Sequence, residues 1–141
     1  MILYCDTSAV VKCFIREPAS AEIREAVAAA KFVVTSEVAW AETLAALARR
    51  AREGDLDEGK HGLVRRRFMR AFSAWARVPL GEEVNERVAR LVLEHPLRGF
   101  DAIHLASALL IQEQARSAVT FACYDERLSR CAASAGLRLF S

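Results

Sequence analysis

Four acids in this chain stand where acids are costly. Of its five aspartates, Asp55 and Asp57 fall in the polar segment Gly54–Gly59 and need no special partner. The other three touch apolar sequence. Asp6 ends the run Ile2-Leu-Tyr-Cys5, Asp101 sits between Phe100 and an apolar stretch, and Asp125 follows the run Ala118–Cys123 by two residues. Glu42 joins them, at the margin of the apolar arc of AWAETLAAL. A carboxylate beside a core needs a partner or a cation. Taken singly, each has an ordinary role: Asp6 and Asp125 suit helix caps, Asp101 a first helical turn, Glu42 the rim of a stripe. Taken together, their recurrence beside apolar segments points to a shared site. Carboxylates about 4 Å apart at an effective dielectric of about 20 repel by a few kcal/mol per pair. A divalent cation removes that penalty, and an all-oxygen donor set selects Mg²⁺ or Mn²⁺. Such an ion can bind a phosphodiester oxygen and acidify water.

The elements that must carry these acids alternate between strand and helix patterns. Strand candidates are Ile2–Cys5, Phe32–Thr35, Val78–Leu80, Ala118–Cys123 and Leu137–Phe140. Helices are expected over Ala9–Ile15, Ala19–Ala30, a long span capped by Ser36, Leu63–Trp75, Glu82–Glu94, a span opening at Asp101, and a last one from Asp125 with Gly136 as its stop. Val84, Val88, Leu91 and Val92 share one face of their helix. This alternation predicts an α/β fold with a largely parallel central sheet. In open sheets of that kind ligands bind beyond the carboxyl ends of the strands. Asp6 and Asp125 belong at that edge, and helices that follow strands begin there, which brings Glu42 within reach.

A length of 141 residues suits a single domain, 1–141, with its own core. A 53% apolar composition with net charge +2 excludes a disordered chain, and six Gly and three Pro exclude low-complexity classes. The longest stretch without a formal charge, Ala102–Gln112, is far short of the ~20 residues of a membrane span. No secretory signal opens the chain, so a soluble, cytoplasmic protein is expected. Cys5, Cys13, Cys123 and Cys131 form no C-x-x-C and read as small hydrophobes; His61, His95 and His104 have no metal-ligand spacing.

The order of motifs resembles the PIN-domain family, and within it the VapC-type toxins of bacterial and archaeal toxin–antitoxin pairs. The residues that carry the likeness are Ile2-Leu3-Tyr4-Cys5-Asp6-Thr7-Ser8-Ala9, Glu42, Phe100-Asp101-Ala102-Ile103-His104-Leu105-Ala106 and Tyr124-Asp125-Glu126-Arg127-Leu128, followed by Ala132, Ala133 and Gly136-Leu137. The resemblance implies a three-layer PIN-like fold whose sheet of about five strands runs in the order 3-2-1-4-5. It implies a Mg²⁺- or Mn²⁺-dependent endoribonuclease in which Asp6, Glu42, Asp101 and Asp125 are the catalytic and metal-holding acids. It also implies a VapB-type antitoxin partner and a homodimer. Ser8 matches the family's hydroxyl after the first acid and is expected to support a water or the metal. Cys123 occupies the place where family members often carry Thr or Ser.

Seventeen Arg against three Lys suit phosphate recognition, because guanidinium forks onto phosphate oxygens. From Arg49 to Arg70 seven Arg and one Lys face four acids, a local balance of +4. Arg49, Arg65, Arg66 and Arg67, with Lys12 and Arg98, are the candidates to hold an RNA backbone, their helices forming a hairpin near Glu42. Gly59-Lys-His-Gly62 reads as a plain loop between helices, Trp40 and Trp75 as core, and His104 as a core histidine. A non-catalytic PIN-like module that binds RNA or protein is the competing reading, and Cys123 is its only hint. Receiver, dehalogenase-type phosphatase, P-loop and dinucleotide-binding signatures do not occur.

Overall fold

The computed structural model describes residues 1–141. The chain runs β1 (Ile2–Cys5), α1 (Thr7–Phe14), α2 (Ser20–Ala29), β2 (Phe32–Ser36), α3 (Val38–Arg52), α4 (Glu58–Ala74), β3 (Ala76–Val78), α5 (Glu82–Glu94), α6 (Gly99–Ala115), β4 (Val119–Ala122), α7 (Glu126–Ser134) and β5 (Arg138–Leu139). The five strands form one sheet in the order β3-β2-β1-β4-β5, and every pairing is parallel.

Alternation along β1 divides the core. Tyr4 points into a cluster with Val84, Leu91, Leu105, Phe121 and Leu128, whereas Leu3 and Cys5 point into another with Val10, Ile23, Leu47 and Phe68. The first cluster draws on α5, α6 and α7; the second draws on α1, α2, α3 and α4. Helices therefore cover both faces of the sheet. That is why its central strands are continuous apolar runs, with all four residues of β4 buried. Trp40 and Trp75 pack as core aromatics, Trp40 against Phe68 and Phe72 and Trp75 against Phe14.

Two local readings need correction. The strand expected over Val78–Leu80 lies at Ala76–Val78, in register with Val34–Ser36. Pro79 has no N–H to give a ladder, so pairing ends before it, and the Leu80 N–H instead donates to Glu37 Oε1 at 2.6 Å. The fourth helix begins at Glu58, not near Leu63, so Gly59–Gly62 is its first turn and not a loop. Asp57 explains the early start: its Oδ1 accepts the Lys60 N–H at 2.8 Å, a side-chain cap. No helix is long and apolar enough to cross a membrane.

Candidate active site

With this strand order the topological switch point falls between β1 and β4, where a parallel sheet opens a crevice at its carboxyl end. Asp6 follows β1 and Asp125 lies just past β4. Both are N-caps. Asp6 Oδ1 accepts the Ala9 N–H at 3.0 Å and the Ser8 hydroxyl at 2.6 Å, and Asp125 Oδ1 accepts the Leu128 N–H at 2.8 Å. Capping thus uses one oxygen of each acid and fixes its position at the edge. Ser8 ties the two loops together, because its oxygen also accepts the Tyr124 N–H at 3.0 Å.

Asp101 lies in the first turn of α6, with Arg98 Nε 3.9 Å from its Oδ2. Its carboxyl is pushed above the usual range by burial, then by the charges of Asp125 and Asp6, with Arg98 pulling the other way. The three aspartates therefore feel one another across the crevice.

Glu42 enters from α3, and the structure supplies a clamp that sequence reasoning missed. Thr7 donates its hydroxyl to Glu42 Oε1 at 2.6 Å, and His104 Nε2 lies 3.0 Å from the same oxygen. His104 Nδ1 lies 2.8 Å from the Tyr4 hydroxyl. One neutral tautomer satisfies this chain: Tyr4 O–H donates to Nδ1, and Nε2–H donates to Glu42. Burial pushes the Glu42 carboxyl up, but the hydrogen bonds from His104 and Thr7 outweigh it and hold it below its ordinary value. His104 is a core histidine, as expected, at 2% exposure, and at the same time the group that orients a site acid. Thr7 stood beside Asp6 in the sequence; the Tyr4–His104 pair spans 100 residues and left no local signal.

Cys123 sits beside this cluster. Its Sγ accepts the Asp125 N–H at 3.3 Å, and burial together with the Asp6 charge pushes the thiol up to about 12, so it stays protonated and neutral.

The acids line an open edge. In this structure no three of the acidic, cysteine or histidine side chains are arranged to hold a metal ion. What the edge offers is chemically suited to a hard cation: four carboxylates from four elements, two of them with one oxygen committed to a cap and a third with one committed to Thr7 and His104. The largest cavity, about 770 Å³, lies elsewhere, lined by Glu37, Val38, Trp40, Phe72, Arg77 and Pro79.

The basic candidates separate. Arg66, Arg67 and Arg70 line a shallow cleft with Leu63, and Arg67 lines a second, of about 410 Å³, with Arg16 and Arg24 beside Cys13 and Phe14. That second cleft adjoins the last turn of α1, whereas Asp6 caps its first turn. At 1.5 Å per residue the arginines stand about 10 Å along the helix from the acids. The hairpin of α3 and α4 forms as expected, but its Arg67 faces the far end of α1 and not Glu42. Lys12 is already engaged, its Nζ 3.3 Å from Glu17 Oε1 and 3.0 Å from the Pro18 carbonyl. Arg49 and Arg65 are exposed, and Arg98 is 83% exposed beside Asp101.

The pattern that defines the PIN domain matches residues 3–133. The chain belongs to the PIN-domain family. Among curated proteins, Ribonuclease VapC45 of Mycobacterium tuberculosis (strain CDC 1551 / Oshkosh) is 33% identical over 138 residues, covering 98% of this chain and 94% of the relative. Among solved structures, FitAcB from Neisseria gonorrhoeae is similar with a TM-score of 0.69 at 17% identity, covering 100% of this chain and 97% of that one. A toxin-antitoxin complex from Klebsiella pneumoniae is similar with a TM-score of 0.60 at 22% identity, covering 85% and 84%. At those identities the two structures speak for the fold alone.

Proposed function

We propose that this chain is a divalent-metal-dependent endoribonuclease, the toxin of a toxin–antitoxin pair. The observation that carries the proposal is the placement of Asp6 and Asp125, each capping a helix, at the carboxyl edge of the adjacent strands β1 and β4, with Asp101 in the first turn of α6. Acids drawn from distant segments to one edge, with only the exposed Arg98 as a cationic neighbour of Asp101, favour a bound cation. Membership of the PIN family and the similarity to Ribonuclease VapC45 support nuclease chemistry over a purely structural role.

Asp6, Asp101, Asp125 and Glu42 would hold Mg²⁺ or Mn²⁺, an assignment the hard oxygen donors favour. When bound, the ion supplies Lewis acidity toward a phosphodiester oxygen and makes water more acidic. The chain's own residues do the rest. Ser8 and the Ala9 N–H fix the Asp6 carboxylate, and the Leu128 N–H fixes that of Asp125. Thr7 and His104 keep Glu42 ionised and immobile. Arg98, exposed beside Asp101, is the proposed contact for the RNA backbone at the edge, and the arginines of α4 would meet it only farther along the chain of the substrate. A small antitoxin that covers the acid edge is the proposed partner, in the cytoplasm, with the toxin as a homodimer.

The test is cleavage of mixed RNA by the purified chain with Mg²⁺, with Mn²⁺ and with a chelator, alongside Asp101→Asn. Expected is ion-dependent internal cleavage that the variant lacks. Cleavage that persists in chelator, or at the parental rate in Asp101→Asn, overturns the proposal.

A further inference from the structure

Only three aromatic side chains are exposed on this molecule: Phe32, Phe100 and Tyr124. Phe32 begins β2, at the end of the sheet away from the acids. The other two each stand one residue before a site carboxylate, Phe100 before Asp101 and Tyr124 before Asp125. An exposed aromatic ring orders water at a cost in free energy unless a partner covers it, and these two flank the crevice where a phosphodiester would sit.

Tyr124 is also held in place. Its N–H donates to Ser8 Oγ at 3.0 Å, and Ser8 donates to Asp6 Oδ1 at 2.6 Å, so two hydrogen bonds link its backbone to the buried first acid. Its ring rests on a cation, with Lys12 Nζ 4.7 Å from the centroid. Lys12 is fixed in turn by Glu17 and the Pro18 carbonyl. The ammonium sits over the ring, and the residue keeps 38% exposure. An anchored, exposed ring beside the acid edge is suited to an unpaired nucleobase, because every base offers a π face and stacking demands no particular sequence. A paired base cannot be reached, since its faces are already stacked inside the duplex. Phe100 supplies a second such surface across the crevice, with the exposed Arg98 guanidinium beside it for a neighbouring phosphate.

We propose that Tyr124 and Phe100, each one residue before a site carboxylate, are stacking subsites for individual nucleobases at the acid edge. This rests on the ribonuclease reading above, and the experiment separates the two.

The probe is a short fluorescein-labelled single-stranded RNA containing all four bases, bound to the full-length Asp6→Asn chain so that cleavage does not intervene. Tyr124→Ala should weaken binding about ten-fold, the scale of one lost base stack, while Tyr124→Phe should bind like the parent. A scan of abasic substitutions along the RNA should find one position whose loss costs the parent the same factor and costs Tyr124→Ala nothing, the sign of a coupled pair. Phe100→Ala should be coupled in the same way to a second position. The same sequence annealed into a duplex should bind parent and variants alike, and weakly. Abasic and protein losses that simply multiply, or a duplex bound as tightly as the single strand, overturn the proposal. Phe100→Ala that changes the mass in solution and shows no coupling assigns Phe100 to a protein interface and overturns its half. Coupling without any RNA cleavage by the unmutated chain would sink the ribonuclease reading and leave the stacking subsites standing; cleavage without coupling would do the reverse.

Discussion

Asp6 carries two roles that a pair of substitutions pulls apart. Its Oδ1 caps α1 through the Ala9 N–H and accepts the Ser8 hydroxyl, and its charge faces Asp101 and Cys123. Asp6→Asn keeps an oxygen in the capping position, and Asn and Asp cap equally well. The loss of charge costs about 0.3–1 kcal/mol against the α1 macrodipole and relieves repulsion with Asp101 of similar size, so the metal-free protein should melt within about 3 °C of the parent. Asp6→Ala forfeits the cap, about 1 kcal/mol, and strands the Ser8 hydroxyl, about another 1 kcal/mol. At roughly 4 °C per kcal/mol for a domain of this size the loss is about 8 °C. Saturating Mg²⁺ at about a hundred times its dissociation constant should raise the parent by about 2.7 kcal/mol, some 10 °C, and should raise neither variant by more than a small part of that. Thermal melts in chelator and in Mg²⁺ read all of these values. If Asp6→Asn retained the parental rise in Mg²⁺, or fell as far as Asp6→Ala in chelator, Asp6 would be a cap and nothing more.

Three further outcomes follow from the geometry. Thr7→Val removes the 2.6 Å hydrogen bond to Glu42 Oε1 at nearly constant shape; it should cost about 1–3 kcal/mol in urea unfolding and slow RNA cleavage, and parental cleavage would show that the clamp is dispensable. Glu17 is held below its ordinary range, burial pushing it up but Arg50 at 2.8 Å and Lys12 at 3.3 Å outweighing that. A lowered folded value means that this contribution is complete above the unfolded value of about 4.3 and is lost as pH falls through the folded one, so the melting-temperature gap between parent and Glu17→Gln should be constant near neutrality and close in acid; a gap indifferent to pH contradicts the pairing. If the clefts of Arg66, Arg67 and Arg70 lie on the RNA path, replacing all three with Ala should flatten the dependence of log binding on log salt by about 0.7 for each phosphate no longer neutralised, and an unchanged slope returns them to a solvated helix face.

What was legible in the sequence was whatever is written locally. The strand Ile2–Cys5, the Asp125 cap and the Gly136 stop all depend on neighbours within a few residues, and each appears where the sequence put it. The errors arise where a distant partner decides. β3 is placed by its pairing with β2, not by its own composition, and Pro79 only marks where pairing must end. The start of α4 is the exception, since a local cap from Asp57 to the Lys60 N–H outweighed two glycines. Within the basic stretch, Arg67 lines a cleft with Arg16 and Arg24 at the far end of α1, a meeting of distant segments that no local signal announces.

The site itself shows why capping and catalysis need not compete as explanations of the same acid. A carboxylate has two oxygens. In a parallel sheet the carboxyl end of each strand leads directly into the N-terminus of the next helix, so the residue that caps the helix is also the residue at the ligand edge. Asp6 and Asp125 each commit one oxygen to backbone N–H groups and are thereby aimed, with little conformational freedom left to lose when a cation or phosphate arrives. Glu42 lies five residues past the Glu37 cap position of α3, too far along to cap the helix, so it needs Thr7, His104 and, behind them, Tyr4 to hold it. Asp101 has neither cap nor clamp, only Arg98 at 3.9 Å, and burial with the charges of Asp125 and Asp6 raises its proton affinity. The least restrained carboxylate thus bears the charge of the other two, and Asp101→Asn should accordingly lower the repulsion at the edge without loosening either helix cap.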